Sequence, residues 1–123
     1  MQIITVALGG AMGAVSRFLV GNIVGKALGS AWPYGTFIIN IVGCFCMGVL
    51  MTVIVERQLL PAAWRFFLCV GFLGGFTTFS SFGYETISLI NNGKLLEAIA
   101  YVSGSVLLGL LAAAIGVYLG RAI

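Results

Sequence analysis

Asn40 is the most costly neutral side chain in the apolar part of this sequence, and Thr36 precedes it by four residues, on one face of a helix. Its amide offers two donors and an acceptor, all of which need partners away from water. It suits two tasks: joining two helices, or presenting an N–H to an anion without adding a countercharge. Tyr101 and Ser105 form a second i, i+4 pair, with Ser103 and Gly104 between them and Gly109 one turn on. That hydroxyl stripe serves either interhelical bonding or a polar track. Arg17 lies inside an apolar run, where a cation must snorkel, face water or meet an anion. It is either an anion-attracting vestibule residue or an anchor near Lys26.

The stretch that organises these residues runs Gly71-Phe-Leu-Gly74-Gly75-Phe-Thr77-Thr78-Phe79-Ser80-Ser81-Phe82-Gly83, inside an apolar segment from 62 to 90. A spanning helix needs about 20 residues, so the segment is long enough to cross a bilayer. The Gly74-Gly75 pair lowers helix propensity by about 2 kcal/mol relative to an Ala pair. The Thr and Ser hydroxyls offer the backbone hydrogen bonds other than helical ones. Freed backbone groups at membrane depth must be buried in protein or line a polar cavity. The reading is therefore a transmembrane helix broken around a polar ligand. The alternative is a continuous helix with a small-residue packing face.

The chain has 123 residues, 61% hydrophobic and 7% charged, against about 25% charged in soluble domains, which marks a membrane protein. A net charge of +3 without a basic cluster is no nucleic-acid signature. With no His and no Asp, His-based acid–base chemistry and Ser-His-Asp triads are excluded. Cys44, Cys46 and Cys69 lie in apolar segments without zinc-site spacing and read as small buried apolar residues. The first apolar run is too long for a signal-peptide core, and no basic residue precedes it.

Four apolar segments, near 3–28, 34–55, 62–90 (with its break near 74–80) and 95–120, account for nearly all of the chain, a single transmembrane domain over 1–123. Gly29 to Pro33, Glu56 to Pro61 and Asn91 to Lys94 punctuate them. Trp32, Tyr34 and Trp64 fall at segment ends, where amphipathic aromatics favour the headgroup region. Gly9 and Gly13, like Gly10 and Ala14, form a small-xxx-small packing pattern. Glu85 and Glu97 are placed at the interface beside Lys94, so neither reads as a buried proton carrier. Arg57, Arg65 and Arg121 on one side balance Lys26, Lys94 and Arg17 on the other, which leaves no preferred orientation. A chain without orientation bias can pair as an antiparallel two-fold dimer, with two copies of the broken segment at mid-membrane.

Gly-Gly-Phe-Thr-Thr-Phe-Ser-Ser-Phe at 74–82, Gly-Thr-Phe-Ile-Ile-Asn at 35–40 and Gly-Ala-Val-Ser-Arg-Phe at 13–18 together resemble the Fluc (CrcB) family of small bacterial fluoride channels. The resemblance covers the whole chain, with Ser81 where the family usually has Thr. It implies an all-α integral membrane protein of the bacterial cytoplasmic (inner) membrane. Four helices per subunit, the third broken mid-membrane, would form a dual-topology antiparallel homodimer in lipid. It also implies passive fluoride export through two parallel pores, and one structural sodium ion. By position, Phe79 and Phe82 resemble the pore phenylalanines, Asn40 the fluoride contact, and Arg17 the vestibule arginine. Gly74 and Thr77 resemble the carbonyls that hold sodium. Tyr101, Ser105 and Thr36 resemble the polar track, with Gly109 where another hydroxyl often extends it. Aromatic ring edges carry the positive end of the ring quadrupole, and weak donors in series pass an anion without trapping it.

The main rival is a small proton-coupled multidrug exporter, also a four-helix dual-topology protein. It requires a carboxylate deep in a helix; the first segment offers only Arg17. A purely structural subunit would leave Asn40, Arg17 and the glycine-rich third segment without a reason. An enzyme lacks an activated nucleophile.

Overall fold

Long runs of Leu, Ile, Val and Phe leave the backbone to satisfy its own hydrogen bonds, and helices do so within one segment. The computed structural model describes residues 1–123 and is helical apart from short connections. Helix α1 spans Gln2–Leu28, α2 Tyr34–Met51, α3 Gly74–Phe76, α4 Phe79–Asn91 and α5 Leu95–Ala122. Two stretches are wound more widely as π-helix: Thr52–Glu56 continues α2, and Arg65–Leu73 leads into α3. Gln2–Leu28, Tyr34–Glu56, Arg65–Asn91 and Leu95–Ala122 are each long and apolar enough to cross a membrane. Glycines at φ 82 (Gly29) and φ 75 (Gly93) make the turns after α1 and α4, conformations that cost other residues more.

Helices in lipid gain little from burying apolar surface against each other, so close approach through small residues holds them together. Gly9 and Gly13 of α1 are buried against the Arg65–Leu73 stretch, and a methyl group on Gly13 would strike the Phe72 carbonyl. One on Gly75 would lie 2.5 Å from the Gly10 carbonyl oxygen. Helices α2 and α5 form the most extensive pair, with Gly48 set against Ala113 and Gly116 against Phe45. Apart from Ile54 and Cys69, the buried apolar side chains gather in two small clusters, Ile39–Leu73–Phe76 and Leu89–Ala98–Tyr101. Most large apolar side chains face outward instead, among them Ile3, Phe18 and Ile23 of α1 and Leu107 and Leu110 of α5. Outward Leu and Ile on every side suit a lipid surround, and the chain is a multi-pass membrane protein.

Trp32, in the connection between α1 and α2, also packs against the helices themselves. Half-buried, it packs its ring 5.0 Å from Phe37 and 5.2 Å from Tyr101, and its indole N–H donates to the Glu97 carbonyl at 3.1 Å. At the far ends of the same helices, the Arg121 guanidinium meets Glu56 through two hydrogen bonds of 2.9 and 3.2 Å.

Candidate functional site

The site is built where helix gives way at Thr77 and Thr78, whose backbones are extended (φ −83, ψ 160 and φ −151, ψ 124) between α3 and α4. The Gly74-Gly75 pair does not itself leave the helix; Gly75 serves the close contact with α1. The threonine hydroxyls act at the departure, as the hydroxyl-rich sequence suggested. Thr77 turns its hydroxyl back onto the Leu73 carbonyl at 2.8 Å, and Thr78 caps α4 by accepting from the Ser81 N–H at 3.2 Å.

Asn40 closes what the departure opens. Its amide NH₂ donates to the Thr78 carbonyl at 2.9 Å, and its oxygen accepts from the Thr78 N–H at 2.9 Å. One amide hydrogen is left free, and Asn40 lines a cavity of about 530 Å³ with Thr77, Phe79, Phe82 and Ser105. The Ser105 hydroxyl oxygen is buried without a hydrogen-bond partner. Phe79 is 83% exposed, while Phe82 is half-buried with its ring 5.1 Å from that of Tyr101.

A second cavity, of about 550 Å³, holds Arg17, Thr36, Ser81 and Lys94, and Thr78 lines both cavities. Arg17 is half-buried there and makes no ion pair. Of the residues singled out from sequence, the structure thus brings Asn40, Thr77, Phe79, Phe82 and Ser105 to one cavity. Arg17, Thr36 and Ser81 line the other, and Tyr101 sits wholly buried behind both. Gly74 lines neither.

Glu85 is the residue the sequence reading misplaced. It is half-buried and makes no ion pair with Lys94, whose ammonium instead reaches the Ala31 carbonyl. One Glu85 oxygen accepts from the Thr36 hydroxyl at 2.7 Å and the other from the Tyr101 hydroxyl at 3.0 Å. A carboxylate so placed fixes both hydroxyl hydrogens and leaves the hydroxyl lone pairs facing other partners. The signal was present in the sequence: Ser81, Glu85, Ser88 and Asn92 recur at helical spacing and all line the second cavity. Glu97 is exposed, in keeping with an interfacial place.

The interruption also frees carbonyls. Because the Thr78 N–H goes to Asn40, the Gly74 carbonyl lacks the donor a continuous helix would give it. None of the backbone bonds outside the helices ends on the Gly74 or Thr77 carbonyl.

Four helices able to span a membrane, with two cavities bordered by polar side chains, define a small multi-pass membrane protein. The CrcB-like (Camphor Resistance) family profile matches residues 4–117, and the chain belongs to this family. It is 52% identical over 120 residues to a protein of Chloroflexus aurantiacus, covering 98% of this chain and 95% of the relative. It is 46% identical over 123 residues to one of Magnetococcus marinus, with both chains covered in full. A third, from Acidobacterium capsulatum, is 43% identical over 123 residues, covering 100% of this chain and 98% of the relative. Each of the three is named fluoride-specific ion channel FluC. The chain is not an enzyme.

Proposed function

We propose that this chain is a fluoride-selective channel that lets F⁻ leave the cytoplasm passively across the bacterial cytoplasmic membrane. The observation that carries the reading is the pair of adjoining cavities that meet at Thr78, on a chain whose relatives bear that name. Arg17 attracts the anion at the second cavity, where Ser81 has a hydroxyl hydrogen to offer and Glu85 holds the Thr36 hydroxyl in place. The free Asn40 hydrogen, the unpartnered Ser105 hydroxyl and the ring edges of Phe79 and Phe82 then receive it, while Tyr101, its hydrogen held by Glu85, backs the Phe82 ring. Asn40, Ser105 and the rings are weak or neutral donors, so a small anion exchanges water for several of them without being held.

The extended residues Thr77 and Thr78 form the mid-membrane break of the third helix in this reading. The balanced charges allow both orientations, and two chains pair antiparallel as a homodimer with two pores. Phe79, nearly fully exposed on one chain, is then covered by its partner. The freed Gly74 and Thr77 carbonyls, doubled by the two-fold axis, suit one sodium ion, because neutral oxygen donors without a carboxylate match a hard monovalent cation. Such an ion would supply positive charge that offsets inward carbonyl dipoles.

Glu85 is the one feature that would serve a proton-coupled exporter. Both its oxygens are occupied by hydroxyls from α2 and α5, which gives it a positioning role. Fluoride efflux from liposomes holding the purified protein, with chloride as control, tests the proposal. Fast fluoride loss, negligible chloride loss and no response to an imposed sodium or proton gradient are expected. Equal passage of the two halides, or flux that follows either gradient, refutes it.

A further inference from the structure

Helix α2 carries a line of sulfur that fluoride passage does not use. Cys44, Met47 and Met51 stand at i, i+3 and i+7 and so share one helix face. All three line the cavity of about 530 Å³ that Asn40 and Ser105 also border. Helical side chains lean toward the N-terminus, so both thioethers lean back toward Cys44. Cys44 is a half-buried free thiol. Opposite it α5 presents Gly109, where even a methyl group would already touch the sulfur at 3.4 Å, so the thiol has bare backbone on that side and the cavity on the other. Met47 also packs against the Ile39–Leu73–Phe76 cluster, as does Cys46, but Cys46 and Cys69 do not line the cavity.

We propose that Cys44, Met47 and Met51 form a binding site for one soft monovalent cation, copper(I) or silver(I). Thiolate and thioether donors select such ions over hard ones. Methionine has three rotatable bonds and a polarizable sulfur, which lets two thioethers close on an ion held by the thiolate. Binding releases the thiol proton to water in the cavity. Thiolate and monovalent cation then sum to zero charge, which a largely apolar cavity tolerates far better than a net charge. No Asp, Glu or His lines this cavity, so a hard divalent ion finds no matching set. The site shares its cavity with Asn40, Phe79 and Phe82, but metal binding in detergent is read without any fluoride flux.

The test is a titration of reduced, full-length protein in detergent against copper(I) held as its bicinchoninate complex. Wild type should withdraw one ion per chain, and Cys46→Ser and Cys69→Ser should do the same. Cys44→Ser should withdraw none. The Met47→Leu/Met51→Leu double variant, thiol intact, should bind more weakly by at least the roughly 10–100-fold that losing a supporting partner costs a metal site. Unchanged size-exclusion profiles certify the fold. Where a variant fails that check, alkylation of Cys44 in a Cys46→Ser/Cys69→Ser background replaces it, and should abolish binding. Copper(I) retained after loss or alkylation of Cys44 overturns the proposal. So does wild-type affinity in the double leucine variant, because the thiol would then act alone.

Discussion

Replacing Asn40 tests the join between α2 and the extended residues directly. In Asn40→Ala both Thr78 backbone groups lose the partners they hold at 2.9 Å. An unsatisfied buried donor or acceptor costs about 1–3 kcal/mol, so the pair comes to about 2–6 kcal/mol. Asn40 and Thr78 are both half-buried, and water reaching them places the loss near the lower end, about 2–3 kcal/mol. Asn40→Asp is nearly isosteric yet should be no better at neutral pH. Its carboxylate still accepts from the Thr78 N–H, but sets an acceptor against the Thr78 carbonyl where a donor stood. Protonating that carboxyl restores the donor, so Asn40→Asp should gain stability relative to wild type as pH falls. Denaturant unfolding in detergent, followed by Trp32 and Trp64 fluorescence, reads both effects, and fluoride efflux should fall in step. An Asn40→Ala protein within about 0.5 kcal/mol of wild type would show that the amide carries no structural role. An Asn40→Asp pH profile parallel to wild type would refute the donor argument.

Phe82→Ile keeps most of the bulk but removes the electropositive ring edge; fluoride efflux should drop sharply while the oligomeric state on size exclusion stays the same. Unchanged efflux would remove Phe82 from the pathway. Gly9→Ala should cost about 1–3 kcal/mol, because the added methyl would meet the Phe67 carbonyl and lie 3.0 Å from the Phe72 nitrogen. Gly10→Ala, whose methyl would have its nearest neighbour at 3.8 Å, should unfold with wild type, and equal midpoints for the two variants would contradict the packing described. Tyr101→Phe strips one Glu85 oxygen of its partner and should cost about 1–3 kcal/mol by the same unfolding assay. A Glu85→Gln background should shrink that cost, and an undiminished one would mean the tyrosine acts through packing alone.

The four apolar runs of the sequence reappear as four helices able to span a membrane, because length and composition are local properties. What Asn40 bonds to was not legible. The sequence showed that its amide required partners, but the register of α2 against Thr78 depends on the close approach of Gly43 to the neighbouring Thr77 side chain. The break expected near 74–80 rested on the Gly74-Gly75 pair as well as on the hydroxyls after it, because helix propensity is local too. In three dimensions Gly75 is needed for the approach of α1, and the helix departs at the two threonines that follow. Glu85 was misread from its distance to the segment end. Its neighbours in periodicity, Ser81 and Ser88, were the better guide, since a polar stripe on one helix face predicts a shared inward cavity.

The glycine contacts and the polar contacts divide the chain into parts of unequal firmness. α1 with the Arg65–Leu73 stretch, and α2 with α5, meet backbone to backbone and admit no slack. α4 is tied differently, at its start by the Asn40–Thr78 pair and along its length by the Glu85 hydroxyl contacts and the side-chain packing of Phe82 and Leu89 on α5, with few direct contacts to α2. Hydrogen bonds break and remake without repacking, whereas interlocked backbones cannot slide past each other. Within one chain α4 is therefore a lever on a two-residue hinge, mounted on two rigid blocks. Its amides should exchange with solvent sooner than those of α1 or α5.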